Sequence, residues 1–585
     1  MSAMQSFRLW APNPGRVDLS IRGETLRMSR RAGGWWAIDC AAQGGDDYGY
    51  CLDGSAPLPD PRSPWQPYGV TGLSRLVDHG AFSWSDSDWV GVSLRNAVIY
   101  ELHIGTFSPS GTFDGAIAKL DHIVRVGANF VELMPVAEFS GDRGWGYDGV
   151  EMFAPHHRYG GPDGLKRLVN ACHARGLGVI MDVVYNHIGP EGGHLATFAP
   201  YIDEDQSTPW GRALRLVGAG STEVHQFVID NACMWIRDYH CDALRLDAIH
   251  ALRWQGALQL TVDISRAVRE IGAAQGRSVS VLAEDDVNDT SVVLSVDSGG
   301  LGLDAVYANT FQRALQAVVT GERTGHYVGF GSLACLVAAL HGPWVFAGPY
   351  SRYGPSEGSD LASVAGSRFV VYMQNHDQVG NREGGERITA LAGAKRVKIG
   401  AALALLSPYI PMLFQGEEWA ASTPFIFFTD RQHLEDPRSV WRGRIEEFAT
   451  FGWADSAVPD PQSPSSFASS RLRWGEVDAG EHGSMLEWYR ALIAVRGTLG
   501  LADQRFDPSY TLYEEDAGWL RVVRGSLMIA ANFGHADALV PLIGAGELLL
   551  ASVAEIAVAS GAVYLPGESV AVVALGDLGM AQRDL

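Results

Sequence analysis

Three features of the sequence predict a multidomain α/β protein, with a central (β/α)8 TIM barrel flanked by an N-terminal β-sandwich and a C-terminal β-sandwich. Residues 1–90 hold short strand patterns between Gly, Pro and Asp turn signals. From Asn96 onward, apolar strand runs alternate regularly with helical patterns, which favours a closed parallel barrel over an open sheet. Beyond about residue 505 the alternating strand pattern returns. The expected units are 1–90, 91–500 and 501–585. A chain of 585 residues exceeds what one hydrophobic core supports.

In chain order, Phe7-Arg8-Leu9-Trp10 is a strand running into the turn Ala11-Pro12-Asn13. Val17–Ile21 alternates with period two, Gly33-Gly34 and Gly44-Gly45 mark turns, and Tyr48-Gly49-Tyr50 lies on another strand. Pro57–Pro64 is too rich in proline for regular structure and reads as a wrapped loop. The barrel strands are expected at Val98–His103, Asn129–Pro135, Gly178–Val184, Ala243–Asp247, Val279–Glu284, Asp304–Tyr307, Phe369–Gln374 and Ile410–Phe414. The third is continuously apolar and therefore buried on both faces. Helices are expected at about 114–126, 163–175, 223–240 and 257–273. Trp519–Val523, Leu527–Phe533 and Ser569–Leu575 read as sandwich strands.

The composition narrows the function. A formal net charge of −22 leaves no basic footprint for nucleic acid or an anionic membrane, so a neutral substrate is expected. The first residues, Met1–Arg8, carry no apolar run of the signal-peptide kind, and no stretch of about 18 apolar residues exists to span a membrane. Six cysteines show neither a C-x-x-C pair nor zinc spacing and read as reduced thiols in a cytoplasmic protein. The aromatic content (17 Trp, 19 Tyr, 22 Phe) supplies flat rings that suit sugar faces, although most such rings serve cores.

Barrel enzymes carry their reactive groups at the C-terminal ends of the strands. Here strand three ends Asp182-Val183-Val184-Tyr185-Asn186-His187, strand four Arg245-Leu246-Asp247, strand five Ala283-Glu284-Asp285 and strand seven Gln374-Asn375-His376-Asp377. The loop after strand two carries Gly144-Trp145-Gly146-Tyr147-Asp148. An isolated R-x-D is more often a buried structural ion pair, but four strand ends bearing carboxylates beside His and Arg point to a site. Asp247, Glu284 and Asp377 are expected to converge with Arg245, His187 and His376. Paired carboxylates without a metal cage suit glycoside cleavage. Arg245 shares a strand face with Asp247 and keeps it ionised as a nucleophile. Glu284 follows an apolar run and precedes Asp285, and burial beside negative charge raises it into the range of a proton donor.

These four strand-end motifs resemble the α-amylase superfamily of glycoside hydrolases. The resemblance implies a covalent retaining mechanism with Asp247 as nucleophile, Glu284 as general acid/base and Asp377 binding and distorting the sugar. It also implies that Tyr147 stacks under the sugar while His187, Arg245 and His376 bind it, with the two catalytic carboxyls about 5–5.5 Å apart. Phe7–Pro12 is similar to the leading β-domain of branching, debranching and trehalose-releasing members. Gln374–Arg382, Phe414–Phe425 and Phe427–Asp430 resemble the malto-oligosyltrehalose trehalohydrolase family, whose members cleave the α-1,4 bond next to a terminal trehalose. Asp60–Ser63 and Val458–Gln462 agree with this. No cofactor or metal is implied: Asn186 is present, but no acidic insertion builds a calcium cage. A partner synthase making the substrate is a possible functional pairing. Glu417, Glu418, Trp419 and the loop Gly348–Tyr353 are candidates for the trehalose-side pocket, with scaffold packing an equal alternative. After strand six the resemblance implies an acidic, His-containing run, and the chain departs from it with Tyr307-Ala308-Asn309-Thr310-Phe311-Gln312-Arg313. Competing readings are a glycogen branching or α-1,6 debranching enzyme with the same catalytic three, and an inactive carbohydrate-binding barrel.

Overall fold

The centre of the molecule is a closed barrel of eight parallel strands. In order they are Ile99–Leu102, Phe130–Leu133, Gly178–Val183, Ala243–Leu246, Ser280–Ala283, Ala305–Tyr307, Phe369–Val371 and Ile410–Phe414. Each falls where an apolar run predicts it. The computed structural model describes residues 3–576 apart from 346–349, 352–353, 356–360, 362–363, 435, 437, 452–457 and 499–504.

Side-chain alternation sorts each strand into an inner and an outer set. Ile99, Phe130, Ile180, Ala243, Leu282, Ala305, Val370 and Ile410, one from each strand, close the barrel floor as a single apolar layer. Their neighbours Val131, Val179, Met181, Leu244, Leu246, Val281 and Ala283 face outward into the main core shared with the helices. Two residues further along the inner face every strand but the eighth, which carries Met412, bears a polar or charged side chain. The parallel register sets Glu101 beside Glu132, and Asp182 beside Arg245. The floor keeps water out from below and the polar layer above it is the platform of the site.

Helices Gly161–His173, Ser221–Arg237 and Gln259–Ala274 lie where the periodicity places them. The helix expected at about 114–126 is two, Phe113–Ile117 and Leu120–Val126, broken at Lys119, where ψ is −3° with φ −115°. A small antiparallel sheet (His187–Ile188, Ile202–Thr208, Gly211–Leu214) is inserted after strand three.

The N-terminal segment forms a three-stranded sheet (Ala3–Trp10, Trp35–Ala42, Ser29–Arg30) and a four-stranded one (Glu24–Arg27, Val17–Ile21, Asp47–Leu52, Ser74–Arg75). Phe7, Leu9, Val17, Leu19, Ile21, Trp36 and Tyr48 are buried within it. The proline-rich loop wraps this core, and buried Asp60 accepts the Tyr48 hydroxyl at 2.8 Å. The C-terminal segment holds a five-stranded sheet, including Trp519–Arg524, Leu527–Asn532 and Ser569–Leu575, and a three-stranded one. One face of the larger sheet packs on the smaller through Val523, Met528, Val540, Val563 and Val573. The other, through Val522, Ile529 and Val572, joins the main core. Among the described residues no helix is long and apolar enough to cross a membrane.

Candidate active site

Arg245 is the hub of the polar layer. It is 1 % exposed, and its Nη1 donates to both Asp182 oxygens at 3.0 Å and to Asp247 Oδ1 at 2.6 Å. Asp247 Oδ2 accepts from Asn186 Nδ2 at 2.9 Å, and the same amide reaches the Asp247 carbonyl at 3.1 Å. Burial alone would raise the Asp247 carboxyl. The Arg245 guanidinium, the His187 ring and the Asn186 amide outweigh it and hold the carboxyl below its ordinary value. Asp247 is thus kept as a carboxylate at neutral pH.

Glu284, one residue past strand five, is in the opposite condition. Burial is the main cause that raises it to about 7, with Asp286 and Asp247 adding to the rise against His250 and Arg245. Its Oε2 accepts the Ala248 backbone N–H at 2.9 Å and its Oε1 the Asn309 amide at 3.3 Å. Ala248 follows Asp247 and sits in the left-handed region at φ 43°, rare for a residue with a Cβ. That left-handed turn aims the N–H at Glu284, and the hydrogen bond it makes ties the two carboxyl-bearing strand ends together and offsets the strain.

A second chain of contacts leads from Asp182 to Asp377. The Tyr147 hydroxyl donates to Asp182 Oδ2 at 2.6 Å and accepts from His376 Nε2 at 2.8 Å. The Tyr147 and His376 rings stack at 5.1 Å. His376 Nδ1 donates to Glu101, which also accepts the His376 backbone N–H at 3.0 Å. Burial would lower this imidazole, but Glu101 and then Asp377 raise it to about 9, so it is a cation with both ring nitrogens donating. Asp377 Oδ1 lies 3.6 Å from His376 Nε2 and accepts from Asn381 at 3.0 Å, leaving the side chain 46 % exposed. His187 contacts Asn186 and donates through Nε2 to the Tyr147 carbonyl at 3.0 Å. Gly146 allows this loop to approach: at φ +105°, an added Cβ would lie 2.0 Å from the Pro135 carbonyl oxygen.

One ionised carboxyl and one poised near neutrality, both partly exposed beside a more exposed third, form an arrangement suited to acid–base and nucleophilic work at one centre. The family description "Alpha amylase, catalytic domain" matches residues 81–207, and "Domain of unknown function (DUF3459)" matches 504–572. The malto-oligosyltrehalose trehalohydrolase of Mycobacterium tuberculosis (strain CDC 1551 / Oshkosh) is 45% identical over 556 residues, covering 94% of this chain and 95% of the relative. The chain belongs to the malto-oligosyltrehalose trehalohydrolase family. The trehalohydrolase of Arthrobacter ramosus is 46% identical over 501 residues, covering 84% of this chain and 87% of its own. A solved structure from Salmonella typhimurium superposes with a TM-score of 0.88 at 35% identity, covering 97% of both chains. As a family member the protein is a glycoside hydrolase of the α-amylase superfamily.

The structure brings all seven residues singled out in the sequence together at the C-terminal end of the barrel. Asp247, Glu284, Asp377 and Tyr147 are partly exposed there, whereas His187, Arg245 and His376 are buried, at most 3 % exposed. Sequence reasoning did not single out Glu101, Glu132, Asp286 or Tyr372, and it met Asn186 only in weighing a calcium cage and Asn309 only in the departure after strand six. Glu101 and Glu132 had a signal, a lone acid inside an otherwise apolar strand.

Glu417, Glu418 and Trp419 are 3, 0 and 0 % exposed, which corrects the pocket reading in favour of packing. Glu418 accepts from Tyr100 at 3.0 Å and pairs with His122 at 2.7 Å. Glu417 accepts from Tyr489, and Trp419 packs on His122 and Trp474. The loop Gly348–Tyr353, the other half of that reading, lies mostly outside the described residues.

Among the described residues, one group has metal-ligand character: Glu138, His156 and His157, with donor atoms within 4.8 Å of one another. These side chains are hydrogen-bonded within the protein. Glu138 accepts both the backbone N–H and Nδ1–H of His157, and His156 Nε2 donates to the Gly141 carbonyl.

Proposed function

We propose that the enzyme cleaves the α-1,4-glucosidic bond next to the terminal trehalose of malto-oligosyltrehalose, with retention, releasing trehalose and a maltodextrin. The observation that carries this reading is the different setting of two carboxyls on adjacent strand ends: Asp247 is bound by the Arg245 guanidinium and the Asn186 amide, whereas Glu284 receives only the Ala248 N–H and the Asn309 amide and is raised by burial. The Asp247 carboxylate attacks the anomeric carbon as the glycosidic C–O bond breaks, and Glu284 gives its proton to the departing trehalose oxygen. Water then attacks the glycosyl-enzyme, Glu284 takes a proton from it, and Asp247 leaves as the carboxylate. Asp377 binds the sugar hydroxyls of the cleaved residue and Tyr147 its face. Arg245, His187 and His376 hold those groups from below. The substrate is supported by the printed names of the relatives and by the absence of a basic footprint in a chain of net charge −22. A cytoplasmic location, pairing with a synthase that supplies malto-oligosyltrehalose, and division of the chain into 1–90, 91–500 and 501–585 complete the proposal.

Product analysis with maltotriosyltrehalose, and maltopentaose alongside, tests it. Trehalose plus maltotriose, the maltotriose appearing first as the α-anomer by proton NMR, is the expected result, with maltopentaose largely intact. Rearrangement or cleavage of maltopentaose without trehalose release moves the enzyme to a branching or amylase activity, and a first-formed β-anomer excludes retention.

A further inference from the structure

The departure after strand six places an asparagine where it touches the proton donor. Asn309 opens the helix Asn309–Thr320. Its Nδ2 donates one hydrogen to Glu284 Oε1 at 3.3 Å and the other to Asp286 Oδ1 at 2.8 Å. Its Oδ1 accepts the hydroxyl of Tyr372, which lies just past strand seven. All three bonds fix which end of the amide points at the acids. Glu284 therefore has a donor on each oxygen: the strained Ala248 N–H on Oε2 and the Asn309 amide on Oε1.

We propose that Asn309, held by Tyr372, is a positioning residue for the general acid/base, bridging Glu284 to Asp286 so that Glu284 can lose and regain its proton beside a second carboxylate. This rests on the role of Glu284 proposed above. When Glu284 has protonated the leaving oxygen it becomes an anion close to Asp286 and Asp247. The amide hydrogen on Oε1 stabilises that anion, and its twin on Asp286 screens the repulsion. Asp286 is further served by Arg313 Nη2 at 3.4 Å, and its backbone N–H donates to His250 Nδ1 at 3.3 Å. The charged or titratable groups that face Glu284 are Arg245 and Asp247 on strand four, His250 on the helix after it, Asp286 on its own loop and Tyr372 past strand seven.

The bridge makes two shifts of opposite sign. Asn309→Ala removes a donor to the anion and exposes it to Asp286, so the alkaline limb of the kcat/KM–pH profile moves up. Asp286→Asn removes a negative neighbour, so the limb moves down. Loss of one hydrogen bond to a charged group sets the scale at roughly 10- to 100-fold in kcat for Asn309→Ala. Profiles of the wild type, Asn309→Ala, Asp286→Asn and Glu284→Gln on maltotriosyltrehalose are the test, with circular dichroism melts to confirm folding. Opposite displacements in the first two variants are expected, and Asn309→Asp should move the limb further up than Asn309→Ala. An unmoved limb in both Asn309→Ala and Asp286→Asn, in proteins that melt like the wild type, overturns the bridge. If Glu284→Gln keeps wild-type turnover and its alkaline limb, the assignment of Glu284 itself falls. If Glu284→Gln loses both while Asn309→Ala behaves as the wild type, only the bridge falls.

Discussion

Replacing Glu101 by glutamine is expected to uncouple the stability of the barrel from pH. In the wild type the His376 ring is held as a cation by Glu101, both side chains being at most 2 % exposed. An imidazole raised from 6.5 to about 9 carries about 3 kcal/mol of stabilisation at roughly 1.4 kcal/mol per pH unit. Little is lost to solvent screening at this depth. Because the folded value lies above the unfolded one, that contribution is fully present below pH 6.5. It falls away as pH rises from 6.5 to 9 and is gone above. The glutamine side chain of Glu101→Gln keeps an acceptor for His376 Nδ1 but not the charge, so the ring is neutral at pH 7. Its bare Nε2 then accepts from the Tyr147 hydroxyl and draws that proton away from Asp182. Urea-unfolding midpoints of the two proteins at pH 5.5, 7.5 and 9.5 measure the effect. Other buried groups titrate over the same range, so the difference between the proteins is the relevant quantity. A gap of about 3 kcal/mol at pH 5.5 that narrows towards pH 9.5 is expected. A gap that stays constant with pH would refute the argument, because lost packing or hydrogen bonding at position 101 does not titrate.

Asp247→Asn is expected to lower turnover by about 10⁴-fold or more while leaving the circular dichroism spectrum unchanged; near-normal rates would remove Asp247 from the chemistry. Glu132→Gln is expected to cost little at pH 7, because burial and the neighbouring Glu101 raise Glu132 to about 8 and leave it protonated already; a loss of stability at pH 7 as large as that of Glu101→Gln would contradict this. Trp419→Ala should lower the melting temperature, by an amount reflecting a cost of about 3–5 kcal/mol, with KM and the trehalose yield unchanged; a raised KM at unchanged stability would return Trp419 to the substrate pocket.

The barrel was legible because parallel strands buried on both faces read as unbroken apolar runs, and the reactive residues sit within one or two positions of where each run stops. Asp182, Arg245, Asp247 and Glu284 obey that rule, and His376 follows three residues after Met373. What was not legible depends on pairing between strands far apart in sequence. Glu101 and Glu132 interrupt apolar runs, but only the register shows that they stand side by side under Arg245 and His376. Asn309 looks like an ordinary helix-opening residue until the barrel closes and brings strand six beside strand five. Glu418 and Trp419 misled in the other direction. An acid and an indole next to a strand end fit the composition of a sugar pocket, and only the packing of Tyr100, His122 and Trp474 against them shows that they are walled in.

The polar layer brings together more acid than base. Glu101, Glu132, Asp182 and Asp247 surround one guanidinium and one imidazole, so they cannot all ionise at low cost. The layer settles this by giving the acids different partners. Glu132 receives only the Tyr307 hydroxyl, leaves its other oxygen unpartnered and keeps its proton. Asp182, raised by burial to about 6, shares Arg245 with Asp247 and takes the Tyr147 hydroxyl in addition. Glu101 takes the imidazolium. Asp247 receives both Arg245 and Asn186 while remaining partly exposed, and is the acid held low. Glu284 lies one strand away from Arg245's direct reach and receives only neutral donors, so burial decides its state. The contrast between Asp247, held ionised, and Glu284, raised towards neutrality, which the proposed roles of nucleophile and proton donor require, thus follows from which strand end reaches Arg245. Moving the positive charge, rather than either carboxyl, is the change that would collapse it.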